Sequence, residues 1–123
     1  VDWDVIIVEP ALSWLHSLRR DDRPTLIQIS KAITALRHEG PAMGRPFVDT
    51  IRGSRLANLK ELRPGSSGGT EVRLLFVFDP LRRAVFLVGG DKAGDWQGWY
   101  RSAIPRAEKA YEDYLTQSEE DTP

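Results

Sequence analysis

A chain of 123 residues, 41% hydrophobic and 28% charged, has the size and composition of one globular domain with its own core. The absence of cysteine excludes a disulfide scaffold and thiolate-bound zinc, and His16 and His38 are too few for a histidine metal cluster. A net charge of -1 argues against indiscriminate nucleic-acid binding, and without a membrane-length apolar run or a signal-like opening the expected compartment is the cytoplasm.

Residues 3–8 (WDVIIV) are β-branched and apolar, a strand that ends at Glu9-Pro10. Ala11, Leu12, Leu15 and Leu18 then recur at helical spacing, with Arg19-Arg20 in the last turn where cations suit the helix dipole. After Asp21-Asp22, Pro24 opens a second helix with Leu26, Ile29, Ile33 and Leu36 on its stripe, stopped at Gly40-Pro41. So short a connection predicts an antiparallel helical hairpin. Residues 41–58 are rich in Gly and Pro and read as a loop with a brief strand or turn near 47–51.

Residues 59–92 carry the centre of the sheet. A strand over 59–63 (LKELR) leads through a glycine-rich turn into a strand over 70–78, with Val72, Leu74, Phe76 and Phe78 on one face and Arg73, Leu75 and Val77 on the other. Apolar on both faces, this strand is expected to be covered on both sides. A further strand over 84–88 closes at Gly89-Gly90, and short turns make the three a meander. A last helix begins at Trp99, with a break expected near Pro105 and a frayed acidic tail over 118–123. The order is β-α-α-β-β-β-α, an α+β fold with a small mainly antiparallel sheet, a helical hairpin on one face and a C-terminal helix at its edge or opposite face; residues 1–117 form one domain.

Charge is unevenly spread. Eight cations face four anions between Arg45 and Arg83, whereas six anions face one cation from Glu108 onward, a pattern compatible with a local anion site in the middle of the chain. Arg73 carries the most information, because an unpaired guanidinium in an apolar strand is very costly. It either pairs with Glu61 across the sheet or clamps a phosphate. Lys60 and Glu61 are adjacent and point to opposite faces; they are plain sheet-surface charges, or Lys60 lies by a scissile phosphate while Glu61 orders the arginines or accepts a proton. Lys92 follows two glycines that permit close approach of a ligand to backbone, although the run lacks both phosphate-loop and GxGxxG spacing. Trp96, Trp99 and Tyr100 beside Lys92 are core aromatics or a platform for bases, and cations that lowered the Tyr100 pKa would make it an acid or base. Serine nucleophiles at 66–67 lack a paired base.

The run LKELR (59–63), the glycine turn, EVRLLFVFD (71–79), AVFLVGGDK (84–92) and the closing helix together resemble the RelE/HigB-type toxins of type II toxin-antitoxin systems, in particular the phage Gp49-like HigB branch of the RelE/ParE superfamily. The resemblance covers roughly residues 3–115 and rests on the order of the motifs rather than on any one. It implies a compact RelE-like fold and a metal- and cofactor-independent endoribonuclease that cuts mRNA on the ribosome by 2′-hydroxyl attack on the adjacent phosphate. It also implies a cognate antitoxin, expected to carry a helix-turn-helix and to bring the pair to operator DNA. By position it points to Lys60, Arg63, Arg73, Lys92 and Tyr100; with the reading of the residues above, Lys60, Arg73, Lys92 and Tyr100 are the catalytic candidates and Glu61, Arg63, Trp96 and Trp99 lie around the substrate. Val72 departs from the family's aromatic, and a single lysine before Asp95 replaces a lysine pair. Some ParE relatives instead poison gyrase by binding it, which is the alternative activity.

Overall fold

The computed structural model describes residues 2–65 and 68–120, so the serine pair at 66–67 and the last three residues of the expected tail lie outside it. The chain forms β1 (Asp4–Ile7), α1 (Ala11–Asp21), α2 (Arg23–Glu39), a short 3-10 turn (Gly40–Ala42), β2 (Val48–Thr50), β3 (Leu59–Leu62), β4 (Val72–Asp79), β5 (Arg83–Asp91) and α3 (Trp96–Glu120). The expected brief strand in the Gly/Pro-rich loop is β2. One residue, Asp22, separates the hairpin helices, and its carboxylate accepts the Thr25 backbone N–H at 3.2 Å and hydroxyl at 2.6 Å, capping α2.

The sheet runs β1-β5-β4-β3-β2; β1 is parallel to β5, and the other neighbours are antiparallel. Alternation along β4 divides the core. Leu74 and Phe76 join Leu62, Phe86, Leu15, Ile29 and Leu36 beneath the helical hairpin. Leu75 and Val77 join Leu59, Val85, Leu87 and Ala103, Ala107 and Ala110 of α3 on the other face. Truncating a fully buried phenylalanine such as Phe76 or Phe86 is expected to cost about 3–5 kcal/mol.

Three features differ from the sequence expectation. The last helix is unbroken at Pro105, which faces solvent, so the carbonyl deprived of its partner can bond to water. The same helix runs on to Glu120, into the stretch expected to fray. Finally, β5 continues through Gly89-Gly90 to Asp91 instead of closing there. The two glycines serve packing on opposite faces: a Cβ on Gly89 would lie 2.4 Å from the Trp14 ring, and one on Gly90 2.5 Å from Trp99 Nε1. The space expected to admit a ligand is therefore filled by two indoles.

A bulge lies between these strands, Leu75 pairing with Val88 while Phe76 pairs with Phe86. The extra residue leaves Leu87 and Val88 both on the α3 side and reverses the phase of the rest of β5. Gly90 thereby faces α3, and Lys92, two residues on, reaches Tyr100 of that helix.

Candidate active site

On the α3 face of the β3–β4 pair, charged side chains replace the apolar rows. Asp49 pairs with Glu61 across β2 and β3, and Arg63 follows Glu61 by two residues and so shares its face. Leu62 pairs with Leu74, so the next residues along, Arg63 and Arg73, oppose each other, and Arg73 pairs in turn with Gly90. Two arginines set side by side would repel, so the fold needs an anion between them.

Glu61 is that anion. It is only 2% exposed, and its Oε1 accepts Arg63 Nε at 2.9 Å. The Tyr100 hydroxyl donates to its Oε2 at 2.5 Å. Arg73 sits at the edge of this arrangement. Its Nη1 donates to the Val72 carbonyl at 2.8 Å, and its Nε stands 3.9 Å from Glu61 Oε1, too far for a hydrogen bond. That Nε is buried with no hydrogen-bond acceptor among the described residues. Arg73 therefore has the charge partner of the first alternative and the unfilled donor of the second; its side chain is 15% exposed.

The first turn of α3 brings the aromatic partners. Asp95 caps the helix by accepting the Gly98 N–H at 3.1 Å, which sets Trp96 and Tyr100 one turn apart on the same side. Lys92 Nζ lies 5.8 Å from the centre of the Tyr100 ring, and Trp99 meets that ring edge-on at 5.0 Å. Trp99 packs into the α3-side core against Gly90, whereas Trp96 is 56% exposed. Of the two candidate stacking rings, Trp96 is the one presented to solvent.

Tyr100 departs from expectation in the direction of its proton affinity. Burial, then the hydrogen bond to Glu61 and its negative charge, push the phenol well above its ordinary value, and the pull of Arg73 and Arg63 only partly opposes them. The hydroxyl is protonated at neutral pH and does not act as a standing phenolate base.

Lys60 is not part of this cluster. It shares its face with Leu62, the helical-hairpin side, and its ammonium donates to Thr50 Oγ1 at 2.9 Å over a hollow also lined by Arg45, Val48 and Phe78. The expected joint clamp by Lys60 and Arg73 is thus split between opposite faces of the sheet, because adjacent strand residues diverge and Arg73 follows the parity of Glu61. The structure brings together Glu61, Arg63, Arg73, Lys92, Trp99 and Tyr100, and it adds Asp49, which the sequence reading did not single out. Asp49 Oδ2 accepts Arg63 Nη2 at 3.1 Å. Among the described residues no group of acidic, histidine or cysteine side chains is arranged to hold a metal ion, and no helix is long and apolar enough to cross a membrane.

A small sheet covered by a helical hairpin on one side and closed on the other by a terminal helix has the architecture of the RelE-type toxins. The fold superposes on that of a double mutant of E. coli toxin RelE in the free state, with a TM-score of 0.61, 17% identity, and coverage of 86% of this chain and 98% of that one. Residues 13–112 match the family described as phage derived protein Gp49-like. Two Mycobacterium tuberculosis relatives are the candidate toxins HigB2, 49% identical over 94% of this chain, and HigB3, 44% identical over 90%. The chain spans 56% of the length of the first and 92% of the second. The chain belongs to the Gp49-like family, the HigB branch of the RelE/HigB-type toxins.

Proposed function

We propose that this protein is the toxin of a type II toxin-antitoxin pair and an endoribonuclease that cuts mRNA on the ribosome, its partner being a small antitoxin with a helix-turn-helix that takes the pair to operator DNA. The observation that carries this reading is the Tyr100–Glu61 hydrogen bond of 2.5 Å set among three cations, Arg63, Arg73 and Lys92. In-line attack by a ribose 2′-hydroxyl needs a proton acceptor, a positive wall for the phosphorane and a proton for the leaving oxygen.

The buried Glu61 acts through Tyr100. As the 2′-oxygen bonds to phosphorus, its proton passes to the Tyr100 oxygen while the phenolic proton moves to Glu61, so no free phenolate is required. The bond from phosphorus to the 5′-oxygen breaks, and Lys92 supplies the proton to that oxygen. The products are a 2′,3′-cyclic phosphate and a 5′-hydroxyl. The exposed part of the Arg73 guanidinium faces the equatorial oxygens and stabilises the charge that develops on them. Trp96 stacks on a neighbouring base.

The test is expression without the antitoxin. The wild-type chain should arrest growth and fragment transcripts, and Arg73→Ala should relieve both; fragmentation undiminished in that variant would reject the assignment. A second reading, a ParE-like toxin that binds gyrase or another target without hydrolysis, is favoured by the low exposure of Arg73 and its bond to the Val72 carbonyl. Intact transcripts together with DNA-damage signalling on expression would establish it instead.

A further inference from the structure

The proton relay depends on where the second oxygen of Glu61 points, and that depends on what fixes the first. Oε1 is held by Arg63, a side chain that is 34% exposed and long enough to leave. Its Nε reaches Glu61 at 2.9 Å, and its Nη2 reaches Asp49 at 3.1 Å. Asp49 lies directly across from Glu61 in the strand register, so without Arg63 between them the two carboxylates would repel. Asp49 is itself anchored: its Oδ1 accepts the Thr50 N–H at 2.8 Å and lies 3.2 Å from Arg45 Nε. The Thr50 N–H first, then Arg45 and Arg63, hold its pKa below the ordinary aspartate value, so it is ionised wherever the protein is folded near neutrality.

We propose that Asp49 is the positioning residue of this site, taking one end of the Arg63 guanidinium so that the other end holds Glu61 with its free oxygen directed at the Tyr100 hydroxyl. This rests on the ribonuclease reading for its consequence, though not for its geometry. A guanidinium is a planar fork, and gripping both ends fixes its rotation in a way that a single contact does not. Removing Asp49 leaves Arg63 with Glu61 alone and free to turn toward solvent, and Glu61 then loses the restraint that aims Oε2. Asp49 touches neither the substrate nor the reacting atoms in this scheme; it acts through Arg63.

Asp49→Ala and Asp49→Asn separate this role from general stability. The Asn side chain keeps an acceptor oxygen for Arg63, whereas Ala keeps none. In single-turnover cleavage of an mRNA on programmed ribosomes, D49A should lower the maximal rate by roughly ten- to a hundred-fold, the scale of a misplaced catalytic group, with half-saturating protein concentration nearly unchanged. D49N should recover most of that rate. The Arg63 Nε–H signal in a nitrogen–proton correlation spectrum, assigned by its loss in Arg63→Lys, should be sharp and slow to exchange in the wild type and in D49N, and broadened or absent in D49A. A wild-type rate in D49A, or an Arg63 signal unaltered by it, would overturn the proposal. If the wild-type chain leaves mRNA uncut, the ribonuclease reading has failed, and the Arg63 signal still decides the part played by Asp49.

Discussion

Two buried carboxylates stand at opposite ends of the α3 face, and the same residue types surround both. Asp79, 5% exposed, ends β4; it accepts the backbone N–H groups of Leu81 and Arg83 at 2.9 and 3.1 Å and Arg83 Nε at 2.8 Å, with the Tyr114 hydroxyl at 3.5 Å. Glu61 likewise has an arginine and a tyrosine. The difference lies in the charge around them. At Asp79 one cation and a turn's own N–H groups complete the shell, which makes it a brace for the β4–β5 turn. Around Glu61 and Asp49 stand Arg45, Arg63, Arg73 and Lys92, four cations against two anions, with a buried guanidinium N–H lacking an acceptor. A carboxylate, arginine and tyrosine together thus say little about function; the surplus positive charge and the buried unfilled donor are what set the Glu61 end apart.

Substitutions at the two ends should separate cleanly. The largest effect is expected from Glu61→Gln, which keeps the shape and an acceptor for Tyr100 but takes up no proton and leaves Arg63 and Arg73 without their shared anion: stability should fall in urea unfolding, and mRNA cleavage per folded molecule should fall by about a hundred-fold or more. Tyr100→Phe, which removes the relay hydroxyl, should approach the same loss, and the double variant should be no worse than the more damaging single one, since the two act as a unit. Asp79→Ala should spare the chemistry. It leaves Arg83 without its partner and costs stability on the order of 3 kcal/mol in urea unfolding, while cleavage per folded molecule is unchanged. Lys60→Ala, on the far face, should alter cleavage by no more than about two-fold, the range of an ordinary surface change; a loss comparable to that of Arg73→Ala would mean that the two faces cooperate.

The smallest effect concerns acid stability. Glu108 fastens the loop after β2 to α3 by accepting the Arg55 N–H and the Ser54 hydroxyl, both at 2.8 Å. These two bonds, the backbone one foremost, hold its pKa below the ordinary 4.5. A folded-state value below the unfolded one gives stability that is complete above about pH 4.5 and is lost as pH falls through the lower folded value. Glu108→Gln should therefore flatten part of the decline in melting temperature below that pH and leave the cleavage site alone.

Much of this was legible in the chain. Helical spacing gave the hairpin, alternation gave the two-faced β4, and the order of motifs gave the fold class. Arg73 could be singled out because a guanidinium in an apolar strand demands a partner. Sidedness across strands was harder. That Lys60 and Glu61 diverge follows from strand alternation, but which of them joins Arg73 depends on the β3–β4 register, and a glycine-rich turn does not fix that parity. The bulge that re-phases β5 and the indoles that occupy Gly89 and Gly90 are tertiary events with no local signature. Asp49 was missed although a brief strand was expected around it, because its pairing with Glu61 is set by the β2–β3 register, which nothing in the local sequence reveals.

The central claim is that the Glu61–Tyr100 pair and its surplus cations are an RNA-cutting site. The most direct measurement is the end chemistry of an mRNA incubated with the purified protein on programmed ribosomes, run alongside Glu61→Gln. Wild-type fragments should end in a 2′,3′-cyclic phosphate and begin with a 5′-hydroxyl, and the variant should leave the message whole. Intact mRNA with the wild type, or equal cutting by both proteins, would contradict it.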